Sequence, residues 1–330
     1  MRSLEPAPAS LCDAGGAPRY GAYRGPLPPI DLVPLAARRL DLAIKRKRWI
    51  YAAIVTDRLF VAVALVDVGY LSTQFAFVYD KHDGRMLADR SALAPPVRQR
   101  FAASLSAGDT EVWNPRGAAS LRRSGDGWTL AATIGDISIE ARLGLAGAPP
   151  PISVIARVPG GVVDATEKQA LLPTSGSLRI AGRAMSLEGG LGGLDYTHGL
   201  LARRTAWKWA YALGQAKSGE RVGLNLVEGF VGEPECAVWV DDQLFAVGEG
   251  RFTFDPKRPL DPWTVKTTCG TVDLTFSPGA MHAEHKNFGL IRSHFVQPAG
   301  VYRGSIRLPG RAPLELDGVL GVTEDQDVLW

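Results

Sequence analysis

Cysteine is scarce in this chain of 330 residues. The three cysteines, Cys12, Cys236 and Cys269, are far apart. Three scattered cysteines provide neither a disulfide framework nor the paired spacing of a cysteine metal site. A reducing, cytoplasmic setting is therefore the default expectation.

Long apolar runs and a strong net charge are also missing. The longest apolar run, residues 59–71, is interrupted by Asp67 and Gly69 and is too short to span a bilayer. The formal charge of +3 is too small to indicate nucleic-acid binding. The first twenty residues contain no apolar signal-peptide core. The single basic run, residues 45–48, is interpreted as the solvated end of a helix.

Glycine and proline, in contrast, are abundant, with 37 and 23 residues. Many turns favour short strands over long helices. Apolar runs at 49–55, 59–68 and 72–79 predict three successive strands, and similar runs recur to the C-terminus. The one substantial helix is predicted within residues 30–47. These patterns predict an all-β protein with one short N-terminal helix.

The length suits two domains. Residues 1–29 are predicted to form an extended N-terminal arm, residues 30–160 a first β lobe, and residues 161–330 a second β lobe that carries the candidate site. The glycine-rich run at 189–193 has neither phosphate-loop nor dinucleotide-binding order, and is interpreted as a connector.

A set of short motifs gives the chain a family resemblance. They include Thr166-Glu167-Lys168, Gly193-Leu194-Asp195-Tyr196-Thr197-His198-Gly199, Arg203, Thr205, Trp207, Trp209, Asn225, Gln297, Glu324 and Trp330. Together they resemble the bacterial family described as domain of unknown function 2804. The architecture is more distantly similar to the carotenoid 1,2-hydratase and AttH group. That similarity implies two tandem lipocalin-like lobes, each a β-barrel or a sandwich.

The segment from Asp195 to Tyr211 holds the candidate site. In a strand, Arg203, Thr205, Trp207 and Trp209 share one face, which is either packed core or the wall of an apolar cavity. A carboxyl group against indole rings loses solvation, so its pKa rises and it can act as a general acid.

Roles for the individual residues follow from this pattern. Asp195 is the candidate catalytic acid, with Tyr196 or His198 relaying a proton or holding water. Arg203 would pair with an anionic substrate group or with Asp195 itself. Asn225, inside an apolar strand, either faces the lumen or anchors buried hydrogen bonds. The structural alternative is that Asp195 only caps a turn and the tryptophans only fill a core.

Three functions remain open at this stage. The first is a cofactor-free hydratase, cyclase or isomerase acting on an apolar, isoprenoid- or lipid-like small molecule. The second is a carrier or sensor of such a molecule, and the third is a purely structural protein. No metal site is expected, because strand geometry would point His282 and His285 to opposite faces.

Overall fold

The computed structural model describes residues 2–94, 99–287, 289 and 291–330. The helical segments are short: α1 (Arg39–Ile44) and two 3-10 turns, Val33–Leu35 and Glu233–Glu235. None of the helices in these ranges is long and apolar enough to cross a membrane.

Two sheets contain all the named strands of the described residues. The first sheet comprises β1 (Glu5–Pro6), β2 (Gly21–Arg24), β3 (Arg46–Val55), β4 (Leu59–Asp67), β5 (Ser72–Asp80), β6 (Arg85–Ala94), β7 (Gln99–Arg100), β8 (Thr110–Asn114), β9 (Gly117–Ser124), β10 (Gly127–Ile134), β11 (Ile137–Gly144), β12 (Ile152–Ala156), β13 (Val163–Ile180), β14 (Arg183–Ser186) and β15 (Gly190–Leu200). The second comprises β16 (Arg204–Gln215), β17 (Arg221–Gly229), β18 (Ala237–Val240), β19 (Gln243–Ala246), β20 (Gly250–Thr253), β21 (Trp263–Thr267), β22 (Val272–Asn287), β23 (Arg292–Ile306) and β24 (Leu314–Leu329).

The strand order places distant segments side by side. The main path of the first sheet is β6-β5-β4-β3-β15-β13-β11-β10-β9-β8-β7, and that of the second is β19-β18-β17-β16-β24-β23-β22-β21-β20. Both sheets are curled, and the all-β prediction is confirmed. The chain passes from the first sheet to the second between Leu200 and Arg204.

Two hydrophobic cores explain the sequence patterns. Strands β9 to β11 alternate buried and exposed residues, as half-buried strands do. Strands β3, β4 and β5 are buried along most of their length, because both of their faces are covered. One face packs against residues of the second sheet, and the other packs inside the curled first sheet.

Two interpretations from the sequence, the solvated basic run and the glycine-rich connector, are wrong. The helix predicted within residues 30–47 is limited to Arg39–Ile44, and the basic run continues from it into β3. Lys47 is buried and donates hydrogen bonds to the carbonyl oxygens of Ile44 and Val68. The predicted glycine-rich connector at 189–193 instead begins strand β15. In both places, strand pairing outweighs local propensity.

Candidate active site

A cavity of about 210 Å³ lies between the two sheets. Its wall on the first sheet comes from β3, β4, β5, β13 and β15, and its wall on the second comes mainly from β16, β23 and β24. Only a few tens of Å³ are needed to hold a water molecule. The space is therefore large enough for a small organic molecule.

Strand register arranges the lining in rows. In the first sheet, Asp195 lies between Lys168 and Tyr51, and in the second, Trp209 lies opposite Glu324. Because facing residues alternate along a strand, the next row outward comes two residues along each strand. We call the first set the deep row: Lys168, Asp195, Tyr51, Trp209, Glu324 and Gln297. The second set is the middle row: Thr197, Trp49, Val66, Trp207, Gln326 and Phe295.

Aromatic rings join the two walls. The indoles of Trp49 and Trp207 are stacked with centroids 5.9 Å apart, and Tyr51 meets Trp209 edge-on at 5.2 Å. Trp209 is buried and Trp207 is half-buried. The shared face predicted for Trp207 and Trp209 is confirmed, and it lines a cavity.

Asp195 is part of a buried ionic cluster. The Lys168 ammonium nitrogen lies 2.6 Å from Oδ2 of Asp195 and 3.2 Å from Oε2 of Glu235. Burial alone would lower the pKa of Lys168, but the charges of Asp195 and Glu235 outweigh it and raise this pKa above its ordinary value. Lys168 therefore remains a cation, and Asp195 lines the cavity as its partner.

Glu324 is the second buried carboxyl group of the deep row. Its Oε1 accepts a hydrogen bond from Trp207 Nε1 at 2.7 Å, and its Oε2 accepts one from Gln297 Nε2 at 2.6 Å. Gln297 in turn accepts from the Tyr51 hydroxyl at 3.2 Å. Burial raises the pKa of Glu324 to about 7, although the two N–H donors act in the opposite direction.

Asn225 is a buried hydrogen-bond anchor behind the cavity. It accepts from Trp209 Nε1 at 2.7 Å and donates to the Glu235 carbonyl oxygen at 2.8 Å. The sequence left open whether Asn225 faces the lumen or anchors buried hydrogen bonds, and in the structure it is the buried anchor. Asn225 thereby fixes both an indole of the wall and the segment that carries Glu235.

Arg203 and Thr205 lie near the outer end of the cavity. Arg203 is exposed and donates to the Trp330 carbonyl oxygen. Thr205 is buried and accepts from Trp330 Nε1 at 2.9 Å. The cation that pairs with Asp195 is Lys168. The ion pair between Asp195 and Arg203, one of the two alternatives for Arg203, is therefore not the one observed.

Tyr196 and His198 alternate with Asp195 and therefore lie on the opposite face of β15. The Tyr196 hydroxyl donates to the Ala102 carbonyl oxygen at 2.9 Å, inside the core of the first sheet. Burial, and then the charges of Arg48 and Arg46, lower the pKa of His198 to about 3. The structure thus does not bring these two side chains together with Asp195.

Four residues of this arrangement were not among the site residues predicted from the sequence: Lys168, Glu235, Gln297 and Glu324. Lys168, Gln297 and Glu324 belong to the motifs of the family resemblance, and Glu235 gave no signal. A charged residue within an otherwise apolar strand is the signal that can identify such a site from sequence, because charged side chains are rarely buried unless they are paired. Within the described ranges, no group of three His, Cys, Asp or Glu side chains could hold a metal ion.

The deep row combines two different polar units. One is a charged carboxylate–ammonium pair, and the other is a carboxyl group whose pKa lies near neutral pH. General acid–base catalysis is most effective when the pKa of the catalytic group is close to the working pH. The arrangement can therefore bind a polar group at Asp195 and exchange a proton at Glu324.

Solved structures share the architecture. A crystal structure of CghA with Sch210972 matches with a TM-score of 0.54 at 11% identity, over 86% of this chain and 88% of that chain. Kievitone hydratase from Nectria haematococca matches with a TM-score of 0.51 at 11% identity, over 99% and 98%. A crystal structure of a protein from Nitrosomonas europaea that is assigned as AttH has a TM-score of 0.49 at 11% identity, over 85% of this chain and 91% of that chain. At 11% identity, the matches to CghA and to kievitone hydratase show the fold alone.

Sequence comparison gives the family. No curated protein matches this chain. Residues 3–330 match the family described as "Domain of unknown function (DUF2804)". Because this match spans nearly the whole chain, the protein belongs to the domain of unknown function 2804 family.

Proposed function

We propose that this protein is a cofactor-free acid–base enzyme that hydrates, cyclises or isomerises a double bond of an apolar small molecule in the cavity between the sheets. The observation that carries the proposal is the carboxyl group of Glu324, which is buried at an indole-lined wall with a pKa raised to about 7. One solved structure with the same fold is that of a protein named a hydratase.

Glu324 takes the proton-transfer role that the sequence analysis predicted for Asp195. Of these two carboxyl groups, Glu324 is the one whose pKa burial raises to about 7, close to the pH at which general acid–base catalysis is most effective. Asp195 bonds to the Lys168 ammonium, whereas Glu324 bonds to Trp207 and Gln297. Asp195 remains in the proposal as the polar group that holds the substrate next to Glu324.

Deuterium transfer from solvent tests this chemistry. Wild-type protein in D2O buffer is incubated with a panel of prenyl and terpenoid alkenes, and mass spectrometry measures deuterium gained at carbon. We expect transfer to at least one alkene, and a loss of about a hundredfold or more in Glu324→Gln, since general acid–base help contributes about 10²–10⁴-fold.

The matched control is Glu140→Gln, the same substitution at an exposed position of β11. It should leave the rate unchanged. Equal rates in Glu324→Gln and wild type would remove Glu324 from the mechanism. Tight binding of a panel member without any deuterium transfer would favour the carrier or sensor function.

A further inference from the structure

The deep row contains a buried acceptor atom that the protein does not use. Oδ1 of Asp195 has no hydrogen-bond partner among the described residues, although the residue is only 7% exposed and lines the cavity. Leaving a buried charged acceptor unpaired is costly. A hydrogen-bond donor on a ligand in the cavity would satisfy this atom.

The other carboxylate oxygens of this row are occupied. Both oxygens of Glu324 accept N–H groups, and Oδ2 of Asp195 contacts Lys168. A ligand donor entering the deep row thus finds its open acceptor at Asp195. One row outward, Oε1 of Gln326 is a second buried acceptor with no partner in the described part of the chain.

The middle row, which lies outward of the deep row, is mostly apolar. Trp49, Trp207, Val66 and Phe295 supply the greater part of the middle row, and Tyr70 and Trp330 lie at the outer end, where the lining becomes partly exposed. Polarity thus decreases from the deep row to the middle row. An amphipathic molecule with one polar end matches this gradient.

We infer that the ligand of this site is a hydroxyl-bearing apolar molecule, which enters hydroxyl first and donates that hydroxyl to Oδ1 of Asp195. The inference rests on the proposed function and names its substrate class. An ammonium ligand is disfavoured, because it would approach the Lys168 cation that already bonds to the same carboxylate. A cation would also lose its hydration on burial.

Equilibrium dialysis with three probes tests the inference on binding alone. The probes are 2-naphthol, 2-methylnaphthalene, which replaces the hydroxyl with a methyl group of similar size, and the cationic 2-naphthylmethylamine. We expect wild-type protein to bind 2-naphthol at least about tenfold more tightly than the other two, since a hydrogen bond to a charged group contributes roughly this much.

Two variants then test whether the preference for 2-naphthol depends on Asp195. Asp195→Asn exchanges the charged acceptor for an amide, and the preference for 2-naphthol over 2-methylnaphthalene should fall at least about fivefold, in line with the loss of a charge-assisted bond. The matched control is Asp164→Asn, which alters a fully buried carboxyl group that lies on β13 and does not line the cavity. This control should keep the wild-type preference.

Several results would overturn the inference. These are equal affinity of wild type for 2-naphthol and 2-methylnaphthalene, tightest binding of the amine, no binding of any probe, or an unchanged preference in folded Asp195→Asn. The comparison of probes on wild type does not depend on how any variant folds. A hydroxyl preference without deuterium transfer would support the inference while removing the proposed enzyme function.

Discussion

At the scale of single residues, the buried ionic cluster shows what sequence reasoning could reach. Asp195 was found because it stands beside an aromatic strand, and Trp207 and Trp209 because their spacing sets a common face. The partner of Asp195 could not be found in this way. Lys168 lies on another strand, and only the register of β13 against β15 places it next to Asp195.

Lys168 is expected to be essential for folding stability. Lys168→Met would leave the carboxylates of Asp195 and Glu235 buried without their cation, which typically destabilises a protein by about 3–5 kcal/mol. Denaturant unfolding followed by fluorescence measures the change. Lys266→Met is the control, because its 3.1 Å pair with Asp273 is about half exposed on both sides. An exposed pair contributes at most about 1 kcal/mol. Equal effects of the two substitutions would contradict the account of the cluster.

At the scale of elements, strand β15 fixes the distance between the sheets. Gly193 lies beneath the Tyr211 side chain of the second sheet, whose hydroxyl donates to the Gln169 carbonyl oxygen of the first at 2.6 Å. A Cβ atom on Gly193 would overlap that hydroxyl oxygen. The glycines of residues 189–193 were interpreted as a connector, because glycine signals freedom in a turn and close approach in a strand equally well.

Gly193→Ala should therefore destabilise the protein by about 1–3 kcal/mol or more through overpacking. Thermal unfolding of the variant measures this. The double variant Gly193→Ala/Tyr211→Phe removes the closer of the two clashing Tyr211 atoms, the hydroxyl oxygen, while Cζ stays 2.6 Å from the added Cβ, so only part of the loss should be recovered. Gly144→Ala on β11 is the control, because the nearest atom to its Cβ would lie at an ordinary 3.4 Å. If Gly193→Ala were as stable as Gly144→Ala, the sheets would not be held at this distance.

At the scale of the whole molecule, the sequence predicted the fold class but not the place of the site. The candidate site was expected inside the second lobe, whose predicted boundary lies at residues 160–161. The cavity instead lies between the sheets, and Tyr51 of the first sheet is hydrogen-bonded to Gln297 of the second across 246 positions of sequence. Periodicity shows which way a strand faces. It does not show which distant strand lies opposite.

The site also predicts how stability varies with pH. Burial raises the pKa of Glu324 from its ordinary value of 4.5 to about 7, so the folded protein holds a proton that the unfolded chain releases near pH 4.5. The contribution to stability is complete below pH 4.5 and is lost as the pH rises through 7. Between these limits, the free energy of unfolding of wild type should fall by about 3 kcal/mol relative to Glu324→Gln. Parallel curves for the two proteins would contradict this assignment.

The most direct test of the account is the titration of Glu324 itself. Carbon-13 NMR of protein labelled at glutamate carboxyl carbons, recorded from pH 4 to 9, follows each carboxyl group without a substrate. The account predicts a signal that titrates with a midpoint near pH 7 and is absent from Glu324→Gln, while Glu140→Gln retains it. If the signal assigned to Glu324 by its loss in that variant titrated near its ordinary value, the proposed proton-transfer group would be contradicted.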